Sequence, residues 1–424
     1  MEQHGKKTLL HSWHIAHGAN MALFGGYEMP LWYPAGVKKE HLSVLTHAGL
    51  FDTSHMAVVT ITGHDAFNLL QYCFTKDLSA CVGKQKSPLT PGKCVYGAFL
   101  NQHGETIDDA IVYHLQKDAY LVVVNAGMGR SIADHLSQHK GDGKVDIQDM
   151  TDKVGKLDIQ GPKAAKILGS ILADPEKTFE KMSYFSFKGY FVETSLPIVP
   201  VRLKDNTPIM VSRSGYTGEF GFELFIEPAQ VVRLWEMILK AGEKYGIICC
   251  GLGARDSLRA GAVLPLSHQD IGHWTFINHP WPFALPYNDT QTGFTKTFIG
   301  SNALQTIDHP EFTHAFVGQD LRKVSTEDPA VVLDAAGSEI GIVLTCATDM
   351  GIGRYDGRIV SIAGPDKPKN FEPKGLSCGF VKVKTRLSMG DTIELKDKRR
   401  KITVTVVDDV RPDRTARCAM RDMI

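Results

Sequence analysis

The sequence lacks the features that mark several broad classes of protein. Lys and Arg together number 47, as do Asp and Glu, so the formal net charge is zero. This balance argues against a nucleic-acid-binding or membrane-surface protein. No apolar run approaches the roughly 20 residues that a membrane helix needs, and the opening MEQHGKKTLLHSW has no signal-peptide core or cleavage site. We expect a soluble, cytoplasmic chain of two or three domains with no membrane or nucleic-acid partner.

The sequence also lacks the short motifs of several chemistries. There is no G-x-x-x-x-G-K-[ST], no correctly spaced G-x-G-x-x-G and no G-x-S-x-G, so neither nucleotide binding nor a serine nucleophile is predicted. The eight cysteines form no C-x-x-C pair and indicate reduced thiols. The histidines at helical or short spacing have no third ligand near them in sequence, so no metal site is predicted; they are His11, His14, His17, His268 and His273.

What the chain does contain is an order of elements that occurs twice. Helices are predicted at Asp65–Phe74 and Gly129–His139, and two more begin at Pro162 and Pro228. Strands surround both pairs, and those of the second unit are predicted at Lys156–Gln160, Tyr190–Glu193, Val199–Leu203, Ile209–Arg213 and Phe222–Ile226. Gly49–Met56 is interpreted as a loop that enters a strand. The pattern predicts an α+β fold of duplicated antiparallel units, each with its helices on one face of the sheet.

The last third of the chain has a different pattern. A connector at Leu264–Ser301 is rich in proline and aromatic residues, which is typical of rigid turns. From about Thr313 short apolar runs alternate with turns, and little helix is predicted. A C-terminal all-β domain, a barrel or a jelly roll, fits this pattern best.

Two stretches hold carboxylates that could carry chemistry. In Gly104–His114, GETIDDAIVYH, Asp108 and Asp109 stand at the mouth of an apolar strand. Neighbouring side chains of a strand point to opposite faces, so only one of the two acids is expected to face a given cavity. The pair is interpreted either as a solvated turn or as a carboxylate held at the end of a buried strand for proton or hydrogen-bond chemistry.

The second stretch is Arg213–Leu224, RSGYTGEFGFEL. Glu223 stands between Phe222 and Leu224 and points away from both. The stretch is interpreted as a simple hairpin or as a ligand site. In the second case a planar ligand with amide-like N–H donors would satisfy the carboxylate, and Tyr216 would supply an aromatic wall.

Six motifs in the same order resemble the T-protein of the glycine cleavage system, a tetrahydrofolate-dependent aminomethyltransferase family. They are Gly49–Met56 (GLFDTSHM), Gly104–Tyr113 (GETIDDAIVY), Val123–Ala126 (VVNA), Gln160–Ala164 (QGPKA), Gly215–Leu224 (GYTGEFGFEL) and Gly251–Arg259 (GLGARDSLR). The resemblance is strong over roughly residues 8–270 and weaker beyond them. It implies three domains in a cloverleaf around a central folate cavity: 1–56 with 150–245, 57–149 with 246–300, and 301–424.

The resemblance also implies roles for individual residues. Asp109 would lie beside the N5/N10 edge of tetrahydrofolate and act as the catalytic group, and Glu223 would hold the amino and N–H groups of the pterin. The other residues implied in folate binding are Tyr96, Tyr113, Tyr184 and Tyr216 along the folate slot, with Met56, Asn125 and Arg255 at the cavity wall. The implied reaction takes an aminomethyl group from the lipoyl sulfur of an H-protein-like carrier and yields ammonia and 5,10-methylenetetrahydrofolate.

The sequence departs from the family where the donor should approach. The connector has no glutamate at His279–Tyr287, His268 replaces a glycine, and Asp356–Pro373 is an insertion. Arg411–Arg417 holds arginines that would bind the folate glutamate tail or be solvated. One alternative is a folate-dependent demethylase of a small methylated compound, caged as a cation by Trp274, Trp281, Phe283 and Tyr287. The other, a non-catalytic folate-binding accessory protein, is disfavoured because its Lys-Gly-Cys-Tyr-x-Gly-Gln-Glu motif is absent.

Overall fold

The structure is a computed structural model that describes residues 5–306, 308, 311–327 and 329–424. The remaining positions, 1–4, 307, 309, 310 and 328, fall in the first and third predicted domains and lie outside the described residues. The helices are α1 His11–Ala16, α2 Val37–Thr46, α3 Ala66–Cys73, α4 Gly129–His139, α5 Ala164–Ile171, α6 Pro175–Phe179, α7 Val231–Gly242, α8 Leu252–Gly261 and α9 Ser301–Thr306.

A three-stranded sheet in the order β1-β3-β2 comes first in the chain and is formed by β1 Lys6–Lys7, β2 Asn20–Phe24 and β3 Tyr27–Trp32. The strands of the two α+β units are β4 Ala48–Asp52, β5 Ala57–Thr62, β6 Lys93–Leu100, β7 Thr106–Gln116, β8 Ala119–Val124, β9 Asp146–Asp149, β10 Gly155–Gln160, β11 Phe187–Lys188, β12 Met210–Ser212, β13 Gly221–Ile226 and β14 Ile247–Cys249. The strands of the C-terminal part are β15 Phe312–Gly318, β16 Val331–Leu333, β17 Glu339–Asp349, β18 Ile352–Tyr355, β19 Arg358–Ser361, β20 Leu376–Val383, β21 Thr392–Lys396 and β22 Lys401–Val407.

The first unit is a five-stranded antiparallel sheet in the order β6-β7-β8-β5-β9. Its strands alternate in the expected way, so Val112 and Val122 point to one face and pack with Leu70 of α3 and Leu136 of α4. Burial of these aliphatic side chains is the main stabilising contribution of the unit.

The second unit is a six-stranded sheet in the order β11-β12-β13-β10-β4-β14, with α5 and α7 packed on one face. The two sheets, each with a pair of helices, confirm the predicted duplication. Strand β14 pairs with β4 in parallel and all other pairs are antiparallel. The sequence-based division placed 246–300 with the other unit, but β14 belongs to this six-stranded sheet.

Three local predictions in this unit are wrong. The start of Gly49–Met56 is not a loop, because β4 is a buried strand between β10 and β14. Tyr190–Glu193 forms no strand, and Val199–Leu203 takes part only in isolated bridges at Arg202 and Leu203. Pro200 lies within Val199–Leu203 and lacks the N–H that a ladder needs, which disfavours a strand there.

The faces of the two sheets that carry no helices pack against each other. Val58, Tyr113 and Val123 of the five-stranded sheet meet Phe187 and Phe225 of the six-stranded sheet in one buried cluster. Polar side chains at the margins of this cluster are therefore held between two rigid sheets. This is the space in which the carboxylates discussed below lie.

The C-terminal part is a closed antiparallel barrel, β15-β20-β17-β16-β21-β22, which confirms the predicted all-β domain. The connector packs on it, with Phe276 and Trp281 buried near Phe380. Among the described residues no helix is long and apolar enough to span a bilayer.

Candidate functional site

The paired acids open strand β7, and the structure brings both carboxylates to one amide group. The Nδ2 of Asn125 donates to Oδ1 of Asp108 at 2.7 Å and to Oδ1 of Asp109 at 2.6 Å. Burial alternates along β7 through the pair, so Asp108 lies on the buried side and Asp109 on the partly exposed side, and the amide of Asn125 reaches both carboxylates. The pairing register with β6 shifts just before the pair, where Phe99 is opposite Asp108 but Leu100 is opposite Thr106.

The two carboxylates differ in their surroundings. Asp108 is fully buried and accepts two further hydrogen bonds, from the backbone N–H of Asn125 at 2.8 Å and from the hydroxyl of Ser267 at 3.1 Å. Asp109 is half-buried and accepts at 2.7 Å from the hydroxyl of Tyr96. Of the pair, Asp109 is the group that a ligand can reach.

The electrostatics separate the acids further. Burial, reinforced by the charge of Asp109, raises the pKa of Asp108 to about 7. Burial also raises the pKa of Asp109, but the hydrogen bonds from Tyr96 and Asn125 favour its charged form. Two carboxyls this close do not ionise together, so the pair retains one proton near neutral pH. We assign that proton to Asp108, which leaves Asp109 as the anion.

Glu223 lies across the sheet interface on β13 and is buried. Its carboxylate accepts from Lys156 Nζ at 2.6 Å, from the hydroxyl of Tyr113 at 3.3 Å and from the hydroxyl of Ser214. Tyr113 stands four residues beyond Asp109 on β7, on the same face, so it connects the two carboxylate regions.

A second buried acid completes a charged cluster around Glu223. Asp158 accepts from Lys156 Nζ at 2.8 Å and from Arg255 at 2.9 Å. Two acids and two bases thus compensate one another inside the interface, as buried charges must. Asp158 has its pKa lowered: burial opposes this, but Lys156 and Arg255 outweigh it.

Sequence reasoning missed Lys156 and Asp158, although a signal was present. In GKLDIQ of β10 the polar residues Lys156, Asp158 and Gln160 alternate with Leu157 and Ile159. In a strand this places all three polar side chains on the face opposite the helices. This alternation of charged and apolar residues along the strand is the signal that could have predicted the place of Lys156 and Asp158 in the site. Ser267, which binds Asp108, carried no such signal.

The structure brings several other predicted residues to the same region. The guanidinium of Arg255 lies 4.9 Å from the ring centre of Tyr216. Burial raises the pKa of Tyr216, and the charge of Asp109 adds to this effect. Met56 lines the sheet interface, half-buried. The ring of Tyr184 lies 5.9 Å from Arg213 and 5.3 Å from Arg417, farther along.

The positions that depart from the family can also be placed. His268 is exposed in a π-helical turn, Ser267–Ile271, and its Nε2 is 3.8 Å from Oδ1 of Asp108. The aromatic connector forms no cage, because Trp281 is in the core and donates to the carbonyl of Val263. Phe283 is exposed and its ring centre lies 5.9 Å from that of Tyr96.

The arginines of Arg411–Arg417 were expected either to bind the folate glutamate tail or to be solvated, and the three differ in their surroundings. Arg411 is buried and pairs with Glu219 at 3.1 Å and Asp349 at 2.5 Å, so it is neither solvated nor free for a folate tail. Arg414 pairs with Asp409 at 2.6 Å. Only Arg417, exposed beside Tyr184, keeps the predicted option of contacting a ligand tail.

The N-terminal histidines have structural partners. His11 contacts Glu28 at 2.6 Å, and the buried His14 contacts Asp52 at 3.0 Å. His17 stacks on Trp13 with ring centres 3.6 Å apart. Their helical spacing therefore reflects packing of α1 against the second unit.

Comparison with known proteins agrees with this architecture. Residues 10–276 match the family model described as GCVT N-terminal domain. The aminomethyltransferase of Bacillus pumilus (strain SAFR-032) is 40% identical over 63% of this chain and 67% of its own length. That of Bacillus subtilis (strain 168) is 35% identical over 80% of this chain and 94% of its own.

A solved structure agrees over nearly the whole length. The glycine cleavage system aminomethyltransferase T from Bartonella henselae superposes with a TM-score of 0.73 at 25% identity, covering 95% of this chain and 96% of that one. Fold and site thus define a one-carbon transferase built from duplicated α+β units and a barrel. The chain belongs to the aminomethyltransferase family of glycine cleavage T-proteins.

Proposed function

We propose that this chain transfers an aminomethyl group from the lipoyl sulfur of an H-protein-like carrier to tetrahydrofolate, in the cytoplasm, with release of ammonia. One observation carries the proposal: Asp109 is a reachable carboxylate that hydrogen bonds from Tyr96 and Asn125 hold in one orientation. No observation favours the demethylase alternative, since the aromatic connector forms no cage around a methylated cation.

The residues present fit a reduced pterin, with one condition at Glu223. A carboxylate has about four lone-pair sites, and three donors already occupy those of Glu223. Two pterin N–H groups therefore bind only if Lys156 gives up its bond to Glu223. Asp158 already accepts from the same ammonium at 2.8 Å, so Lys156 keeps a carboxylate partner after that shift, and the pterin N–H groups would take its place at Glu223. Tyr96 and Tyr216 would flank the ligand.

Bound tetrahydrofolate supplies the nucleophilic nitrogen that accepts the one-carbon unit. Asp109 accepts a hydrogen bond or proton from that nitrogen, and Tyr96 and Asn125 hold its carboxylate in one orientation. Most of the rate gain comes from positioning, to which general base catalysis adds roughly 10²–10⁴-fold.

The Asp109→Asn variant tests this role. The amide keeps the shape of the side chain but cannot accept a proton, so we expect kcat to fall by roughly 10²–10⁴-fold while folate binding persists. Single-turnover kinetics and tetrahydrofolate titration measure the two effects. Asp146→Asn, on the exposed strand β9, is the matched control and should turn over normally. Near-normal turnover of Asp109→Asn with folate bound would refute the assignment.

The donor is tested separately. The protein is incubated with tetrahydrofolate and either an aminomethyl-loaded lipoyl carrier or a panel of N-, O- and S-methyl compounds. Formation of ammonia and 5,10-methylenetetrahydrofolate with the carrier is the expected result. Formation of 5-methyltetrahydrofolate from a methylated compound, with no ammonia from the carrier, would replace this proposal with the demethylase.

A further inference from the structure

Three potential metal ligands converge in the five-stranded unit, outside the site described above. Cys73 ends helix α3, and His135 and His139 stand four residues apart on helix α4. One donor atom from each of the three side chains lies within 4.8 Å of the other two. Residues four apart share one face of a helix, so both imidazoles point toward α3.

The hydrogen bonding leaves the right nitrogens available. His139 Nδ1 is 2.8 Å from the carbonyl oxygen of His135. Since a carbonyl only accepts, this nitrogen carries the proton of the neutral ring, and Nε2 keeps its lone pair. Such a backbone bond is the usual way in which proteins fix the tautomer of a metal-binding histidine.

His135 gives a second indication of a metal site, independent of the spacing of the three side chains. Its ring is buried, and its Nε2 has no hydrogen-bond partner in the described structure. A buried polar atom without a hydrogen-bond partner is unfavourable, so it calls for a physical explanation.

The thiol of Cys73 completes the donor set. Its side chain is buried at the C-terminal end of α3. A divalent cation displaces the thiol proton and binds the thiolate, so binding releases one proton. One sulfur and two imidazole nitrogens are ligands that suit a tetrahedral zinc ion, with water in the fourth position.

We propose that Cys73 Sγ, His135 Nε2 and His139 Nε2 form a Zn²⁺ site that connects α3 to α4. The ligands are separated in sequence by three strands, so the ion would cross-link the two helices that cover one sheet. The half-buried His139 provides the route of entry. This site is independent of the proposed transfer reaction.

The test uses the full-length chain after removal of metal with a chelator. Zn²⁺ is added in calorimetric titrations, and Co²⁺ serves as a spectroscopic probe. We expect one equivalent to bind, with thiolate-to-cobalt charge-transfer absorption and the visible bands of a tetrahedral ion. Zn²⁺ should also raise the Tm, because it binds the folded state preferentially.

The variants identify the ligands. Cys73→Ser should abolish the charge-transfer band. His139→Ala should weaken zinc binding by more than the 10–100-fold or so that loss of an outer-shell partner causes. Cys346→Ser on β17 and His103→Ala in an exposed turn are the matched controls and should bind like the wild type. Circular dichroism of the metal-free variants checks that they fold, and the half-buried His139 is the safer position to truncate.

Two outcomes would overturn the proposal. The first is no zinc binding by the wild type at micromolar metal. The second is binding that persists unchanged in a folded His139→Ala variant, or cobalt absorption without the thiolate band. In the first case the cluster is only helix packing, and in the second the metal sits elsewhere.

Discussion

Asp108 and Asp109 are neighbours in sequence, but their different surroundings give the two carboxyl groups different tendencies to ionise. Both accept from Asn125, but only Asp108 is fully buried and bonded to Ser267 through its carboxylate. The energetic cost of ionising a buried acid beside a second acid is therefore carried by Asp108. A neutral Asp108 next to a charged Asp109 gives the site one well-defined base. The same two residues in a solvated turn would both be ionised at neutral pH.

This coupling predicts a pH dependence of stability. With a folded-state pKa near 7 and an unfolded value near 4, Asp108 holds more proton in the folded chain between these limits. The contribution of Asp108 to the free energy of unfolding therefore falls as pH rises from about 4 to about 7. Removing the neighbouring charge in Asp109→Asn lowers the Asp108 pKa, so the fall should shrink by on the order of 1–3 kcal/mol. Urea unfolding across this range measures it. Equal slopes in variant and wild type would contradict the coupling.

At the scale of elements, the two α+β units each have a glycine at the same position of a strand-to-helix turn. Gly63 follows β5 and Gly161 follows β10, and each stands three residues before the next helix, α3 or α5. Both have a φ of +124°, a conformation that side chains other than glycine rarely adopt. The same strand-to-helix turn is thus built twice by the same backbone device.

These turns leave no room for a side chain. A Cβ at position 63 would lie 2.2 Å from the carbonyl oxygen of Lys144, and one at 161 would lie 2.7 Å from those of His47 and Val44. We expect Gly63→Ala and Gly161→Ala each to lower the free energy of unfolding by about 2–4 kcal/mol.

Chemical denaturation measures these losses. Gly141→Ala is the control, since Gly141 has a φ of +52° but a Cβ added there would meet no atom within 4 Å. It should cost only about 1 kcal/mol of backbone strain. If all three variants lost the same stability, the close backbone contacts would not be the cause.

At the scale of the whole molecule, Arg411 connects the barrel to the second α+β unit. Its guanidinium donates to Glu219 near β13 and to Asp349 at the end of β17, and all three side chains are buried. Asp349 also contacts His41 of α2 at 2.9 Å. Burial alone would raise the pKa of Asp349, but Arg411 and His41 outweigh it and hold the pKa below its ordinary value.

Arg411→Met should therefore destabilise the whole chain. The variant leaves Glu219 buried without its cation, which costs about 3–5 kcal/mol for a broken buried pair. The matched control is Arg414→Met, whose pair with Asp409 is partly exposed and is worth at most about 1 kcal/mol. Thermal unfolding of both variants measures the difference. Similar Tm values would show that the buried pair contributes no more than the surface one.

Much of the architecture follows from local patterns. The period-two alternation of β7 and β8, the helical spacing on α4 and α7, and the proline at the start of the α5 turn each act over a few residues. Such patterns predicted the duplicated sheets and the barrel. They failed at 190–193, at 199–203, where Pro200 lacks the backbone donor that a strand ladder needs, and at β4, where a glycine-containing run is a buried interior strand.

The sequence by itself determines which side chains are charged and which strands carry them. Asp109 on β7, Glu223 on β13 and their aromatic neighbours can be identified from the sequence alone. Only the tertiary structure determines which of the side chains come into contact. Asn125 reaches both acids because β8 pairs with β7, Lys156 reaches Glu223 because β10 and β13 pair in register, and Cys73 approaches His135 because α3 and α4 cover one sheet. Strand and helix periodicities act over a few residues, whereas these meetings depend on contacts between distant parts of the chain.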